Sequence, residues 1–167
     1  MNAASPRSTS QPTLRRAGAA DAPAIRRMIQ ALILHSGNPP ATPAPAEELA
    51  RHMSGPHPDI EGVIAERGSK AVGMVLFFPW LSTWRGRLNL YIQDLYVEPT
   101  ERGGGLGRRL LAAAAREGKK RGCKGLLLAV EISNADAARF YTRLGFQRIE
   151  EERHWLLAPA EFEALID

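Results

Sequence analysis

Between an apolar run ending at Tyr96-Val97 and another beginning at Leu106, the chain reads Arg102-Gly103-Gly104-Gly105-Leu106-Gly107-Arg108-Arg109. This segment constrains the fold more than any other. Glycines let the backbone turn tightly and approach a ligand closely, and successive N–H groups at a helix start point toward an anion. Arg102, Arg108 and Arg109 add charge-assisted donors. A strand, a glycine turn and a helix in that order predict an α/β unit with phosphate held at the turn.

Spacing separates three kinds of phosphate cradle. The P-loop needs glycine five residues after Gly103, where Arg108 stands, and no Lys-Ser or Lys-Thr follows. The dinucleotide fingerprint begins well at Gly103 and Gly105, and Glu131 ends the next apolar run where an acid could take a ribose. It breaks at Arg108, because its third glycine is required for close helix–strand packing. Only 36 residues follow Glu131, too few for a second βαβ half. What survives is Arg-x-x-Gly-x-Gly on Arg102, Gly105 and Gly107.

The surrounding pattern predicts the elements. Leu14 to Arg16 forms a first strand, and Asp21 caps a helix with Pro23 in its first turn. Ile25, Met28, Ile29, Leu32 and Ile33 mark that helix's buried face. Ser36 to Pro45 is Pro-rich and ends it, and a short helix spans Glu47 to Met53. Ile60 to Glu66 and Ala71 to Phe78 form a hairpin, and Trp80 to Arg87 is a longer connection. Leu88 to Val97 is a strand, Leu106 to Arg121 a helix, and Gly125 to Val130 a buried parallel strand. Asn134 to Leu144 is a helix ended by Gly145. Strands at Phe146 to Glu150 and Arg153 to Leu157 and a helix at Ala160 to Ile166 complete a mixed α/β sheet of about six to seven strands. Residues 1–12 are expected to be a disordered tail and 13–167 one domain.

Three segments together resemble the GNAT superfamily of acyl-CoA N-acetyltransferases: Asp94-Leu95-Tyr96-Val97-Glu98-Pro99, the arginine-glycine loop, and the stretch from Asn134 to Phe146. The stretch Phe77-Phe78-Pro79-Trp80 with Trp84-Arg85-Gly86-Arg87 and Tyr91-Ile92-Gln93-Asp94 is most similar to the diamine branch, the spermidine/spermine and thialysine acetyltransferases. That branch usually has glutamate beside the aspartate where this chain has Gln93. The acid usual ahead of the tryptophan is not evident at Ser82 or Thr83.

The resemblance implies acetyl transfer from acetyl-CoA to the primary amine of a small molecule in a ternary complex, without metal, by a homodimer. Backbone groups of Leu95, Tyr96 and Val97 would then pair with the pantetheine arm. Arg102, Gly103, Gly104, Gly105, Leu106, Gly107 and Arg108 would take the pyrophosphate. Asn134 would reach the pantetheine, and Tyr141 would aim its phenol at the thioester sulfur. An alkylammonium with a pKa near ~10.4 must lose a proton before it attacks, and the departing thiolate gains one, with Tyr141 as general acid. Tyr141 also fits a buried aromatic stripe, so packing is the competing reading. Asp94 is the best-placed base, or else attracts the ammonium, and Gln93 could position a water. Trp80, Trp84 and Trp155 offer cation-binding walls, with packing or an interface as the competing reading of each. Acetylation of protein N-termini or lysines, and acyl-CoA sensing without catalysis, are the other functions this scaffold serves.

Other features narrow the setting. The net charge of +4 suits nucleic acid or an anionic cofactor. The basic residues concentrate from Arg102 to Lys124 without interleaved aromatics, which points to the cofactor. Arg116, Lys119, Lys120 and Arg121 fall where they compensate a helix C-terminal dipole. The lone Cys123 excludes an internal disulfide, and neither a signal peptide nor a membrane span is evident. The expectation is a cytoplasmic enzyme with no nucleic-acid or membrane partner.

Overall fold

The structure is a computed structural model that describes residues 10–36, 42–150 and 157. It comprises two compact units, 1–134 and 135–167. In the first, β1 (Thr13–Arg16), β2 (Glu61–Arg67), β3 (Lys70–Ser82), β4 (Arg87–Val97) and β5 (Leu126–Leu127) form one sheet in the order β1-β2-β3-β4-β5. The first four strands pair antiparallel, and β5 joins β4 in parallel. The sheet is therefore mixed, as expected, with five strands among the described residues instead of six or seven. Phe146 to Glu150 is not a strand, and the last predicted strand and helix lie outside the described residues apart from Leu157.

Three helices flank the strands: α1 (Ala22–Ser36), α2 (Ala46–His52) and α3 (Leu106–Lys120). Ile25 and Met28 of α1 pack with Ile64, Met74, Leu76 and Tyr96 in one buried cluster. Each such side chain stabilises the fold by roughly 1.5–3 kcal/mol on burial. Pro23 sits in the first turn of α1, and Asp21 stands immediately ahead of the helix. Its Oδ2 accepts from Gly18 N–H at 2.8 Å and from Arg15 at 2.7 Å, closing the short 3-10 turn Ala19–Asp21 that precedes the helix.

On the other face α3 rests on the sheet at two glycines. A Cβ on Gly73 would stand 3.2 Å from Leu110 Cδ1, and one on Gly118 would stand 3.4 Å from Leu90 Cβ. Leu106, Leu110, Leu111 and Ala114 are buried there. This close seating fixes the direction in which α3 presents its N-terminus.

The predicted connection Trp80 to Arg87 is instead strand and tight turn. β3 continues to Ser82, pairing Pro79 with Leu90 and Trp80 with Asn89. Proline is tolerated because β2 pairing ends at Phe77 opposite Glu61, so no ladder bond is lost on that side. Gly86 closes the turn at φ +57°.

The second unit contains α4 (Ala135–Arg143). Gly145, at φ +90°, ends it. Phe146 N–H donates to Tyr141 O at 3.1 Å and Gly145 N–H to Thr142 O at 3.0 Å, a Schellman closure.

Candidate active site

β4 runs straight into the glycine loop, and its two edges differ. One edge pairs with β3 as far as Val97 opposite Gly73. The other pairs with β5 only at Leu90 and Tyr91. Past Tyr91 that edge has no strand partner among the described residues. Glu98 N–H donates to Val72 O at 2.9 Å, and antiparallel bonding alternates residue by residue. Tyr96 therefore turns its N–H and C=O to β3, while Leu95 and Val97 turn theirs to the open edge. Of the three residues expected to pair with an extended arm, these two are oriented for it.

The loop follows through a 3-10 turn, Pro99–Glu101. Gly103 and Gly105 take φ +83° and +79°, a conformation L residues rarely adopt. Gly104 is different. Its φ is ordinary and a Cβ there would meet nothing nearer than Glu101 O at 3.8 Å. Among the described residues, neither the backbone nor a protein neighbour requires glycine at this position.

Arg102 bends back so that its Nε donates to Val97 O at 3.0 Å, tying the loop to the strand end. Leu106 is buried, Gly107 lies in the first turn of α3, and Arg108 is exposed beside it. Arg109 Nη2 donates to Pro12 O at 2.8 Å, and Arg67 Nη1 to Ser10 O at 2.6 Å. A cavity of about 210 Å³, lined by these arginines with Glu101, Gly104 and Leu106, flanks the loop.

Asp94 stands two residues before the buried Tyr96. Phe77 pairs with Ile92 but Leu76 with Asp94, so Gln93 is an extra residue, a β-bulge. Strand alternation would put Ile92 and Asp94 on one face; the bulge puts them on opposite faces. Asp94 thus shares the α1 side with Leu76, while Gln93 is exposed. Burial pushes the Asp94 carboxyl up to about 6, with no cation or donor among the described residues to draw it down. Such a carboxylate is ionised near neutrality yet retains affinity for a proton.

Tyr96 adds a positioning contact. Its hydroxyl donates to Glu98 Oε2 at 3.0 Å, and Arg27 Nη1 of α1 donates to Glu98 Oε1 at 2.6 Å. This pair ties α1 to the end of β4 just ahead of the loop.

The remaining predicted residues are placed as follows. Trp84 lies in the β3–β4 turn, 97% exposed. Asn134, at the end of the first unit, donates its N–H to Glu131 O at 2.9 Å. Trp155 lies outside the described residues. In the second unit the Tyr141 ring meets Phe140 and Phe146 edge-on, with centroids 5.1 and 5.3 Å away. The Phe146 contact is the apolar contact of the Schellman closure. Packing therefore holds the ring. Burial pushes the Cys123 thiol up, which disfavours the thiolate a nucleophile needs.

Sequence reasoning missed the bulge, and with it the partnership of Phe78 with Tyr91, whose rings stack. The aromatic run was visible, but its register was not.

Residues 27–146 match the Acetyltransferase (GNAT) family. The chain belongs to the GNAT acetyltransferase family. As a GNAT enzyme it is an N-acetyltransferase. It is 32% identical over 160 residues to a thialysine N-epsilon-acetyltransferase of Mus musculus, covering 91% of this chain and 94% of that one. It is 28% identical over 161 residues to a spermidine/spermine N(1)-acetyltransferase-like protein 1 of Homo sapiens, covering 92% of this chain and 23% of that one. These relatives support the diamine branch. An integron cassette protein from the mobile metagenome of V. cholerae superposes with a TM-score of 0.76 at 19% identity, over 94% of this chain and 98% of that one. That likeness shows the GNAT fold. Among the described residues, no helix is long and apolar enough to cross a membrane.

Proposed function

We propose that the chain transfers acetyl from acetyl-CoA directly to the primary amine of a small diamine, polyamine or amino-acid-like substrate, in a ternary complex. One observation carries the reading. A single strand presents, in order, a carboxylate with raised proton affinity at Asp94, an open backbone edge at Leu95 and Val97, and the glycine-lined start of α3.

Each part has a task. Leu95 and Val97 hold the pantetheine arm as an added strand, with Tyr96 anchoring β4 to β3 between them. Arg102 fixes the loop, and the backbone from Gly103 to Arg108 takes the pyrophosphate with the α3 dipole behind it. Asn134 contacts the arm, and Tyr141 supplies a proton to the thiolate, both by family resemblance. Acetyl-CoA supplies the activated acyl group. Asp94 accepts the proton of the ammonium directly, or through a water held by Gln93. Trp84 and Trp155 attract the cationic acceptor through their rings. Holding amine and thioester together contributes several kcal/mol, so no covalent enzyme intermediate is required. The names of the thialysine and spermidine/spermine relatives support an amine of this class. We place the enzyme in the cytoplasm as a homodimer, with neither nucleic acid nor membrane as partner.

Thiol release from acetyl-CoA across monoamines, diamines, amino acids and peptides tests this. Release that depends on a small amine is expected. Release with peptides alone would move the acceptor to protein N-termini or lysines. Acetyl-CoA binding with no amine-dependent release would leave an acyl-CoA sensor.

A further inference from the structure

The β3–β4 hairpin carries an aromatic pair with no task in that reading. Phe78 and Tyr91 are register partners, stacked with centroids 5.1 Å apart and planes inclined by 26°. Partners in an antiparallel ladder share a face. Leu76 and Asp94 are also partners, and Leu76 faces the α1 core; Phe78, two residues on, stands on that side too. Asp94, Phe78 and Tyr91 therefore rise from one face. The bulge at Gln93 is responsible, since without it Asp94 would share the opposite face with Ile92.

Burial differs between the two faces. Phe77 and Leu90, on the α3 side, are buried, whereas Phe78 and Tyr91 are only half-buried and stand outside the α1 core cluster. The β3 partners of Asp94 and Tyr91, Leu76 and Phe78, are two residues apart, so the bulge brings Asp94 and Tyr91 to within roughly 7 Å along the strand at ~3.3 Å per residue. A short methylene chain between two amines spans such a gap. Ring faces attract ammonium groups and carry methylenes by ordinary apolar contact.

The geometry points to a specificity subsite in which the Phe78–Tyr91 stack holds the distal, cationic end of a linear diamine whose reacting amine lies at Asp94. This rests on the amine acetylation proposed above and adds how the acceptor is chosen. The stack supplies cation affinity through ring faces instead of a second carboxylate.

The test is the ratio of kcat/KM for α,ω-diamines of increasing length over the n-alkyl monoamine of matching length. A preference for the diamine that peaks at one chain length is expected. In Tyr91→Leu the ratio should fall about 5- to 30-fold, the range of a partly desolvated cation–ring contact, while Tyr91→Phe keeps it. Equal rates for diamine and monoamine, or a ratio that survives both Tyr91→Leu and Phe78→Leu, overturn the subsite and leave acetyl transfer standing. So does a Tyr91→Leu variant whose sedimentation shifts while its ratio holds, since the stack is then an interface between copies. If no amine is acetylated, the functional reading itself has failed. Calorimetry with the diamine alone then decides the subsite: tighter binding to wild type than to Tyr91→Leu supports it, and equal binding overturns it.

Discussion

Arg121, one residue beyond α3, donates Nη2–H to Glu61 Oε2 at 2.6 Å, so the helix that starts at the glycine loop ends on the first residue of β2. Arg16 of β1 pairs with the same carboxylate. Glu61 is 7% exposed, and a buried carboxylate persists only when its oxygens are satisfied. The pair sets the far end of α3, and through a rigid helix it sets where the loop sits.

Glu61→Gln should lower unfolding free energy in urea by about 1.5–3 kcal/mol, the range for hydrogen bonds to charged groups. Hydrogen bonding from Arg121 and the Arg121 charge, then the Arg16 charge, hold the Glu61 carboxyl below its usual 4.5 against the opposing effect of burial. A depressed carboxylate contributes stability above its unfolded value and loses it as pH falls through the folded one. The gap between wild type and variant should therefore be constant at neutral pH and close below pH 4.5. A gap independent of pH would mean that charge is not the cause.

The glycine loop separates two reasons for glycine. Gly105→Ala should cost about 1–2 kcal/mol of stability, because its left-handed φ penalises a Cβ. Gly104→Ala should leave the thermal midpoint nearly unchanged and weaken acetyl-CoA binding by about tenfold, roughly 1.4 kcal/mol. Calorimetric titration beside a thermal melt distinguishes them. Unaltered acetyl-CoA affinity in Gly104→Ala would remove the loop from cofactor binding.

Much of this was legible before the fold. The three-four spacing from Ile25 to Ile33 marked α1, and the Gly-Arg loop fixed the start of α3, because local periodicity and glycine chemistry decide both. What resisted depends on pairing between distant segments. The strand reads as ending at Phe78, ahead of Pro79, because nothing local shows that β2 stops at Phe77 and leaves a proline tolerable there. The bulge at Gln93 is invisible until β3 supplies the register, and Glu61 reads as an ordinary strand acid until Arg16 and Arg121 converge on it. Asp94 was recognised by position in the motif; the face it occupies was not.

Tyr141→Phe keeps the ring contacts with Phe140 and Phe146, so its melting temperature should match wild type. Removing the phenol should lower kcat about 100-fold, the low end for a general acid, with acetyl-CoA affinity little changed. An unaltered kcat would assign the residue to packing alone.

Asp94 should link activity and stability with opposite signs. Its carboxyl is raised to about 6, and a base must be ionised to act, so kcat/KM should fall about tenfold per pH unit below pH 6. Asp94→Asn should lower the rate at pH 7 by about 100-fold or more and abolish that acid limb. For stability the sign reverses. A raised carboxyl favours the folded state most below its unfolded value of 3.8, and the advantage is lost as pH rises through 6, where the half-buried group must carry charge. Asn pays no such penalty, so the variant should gain on wild type between pH 4 and pH 7, by about 1–2 kcal/mol after allowing for partial solvent screening. Urea unfolding at the two pH values measures this. A variant less stable at pH 7 would show that Asp94 is a structural group whose carboxylate the fold requires, and its assignment as base would fall with it.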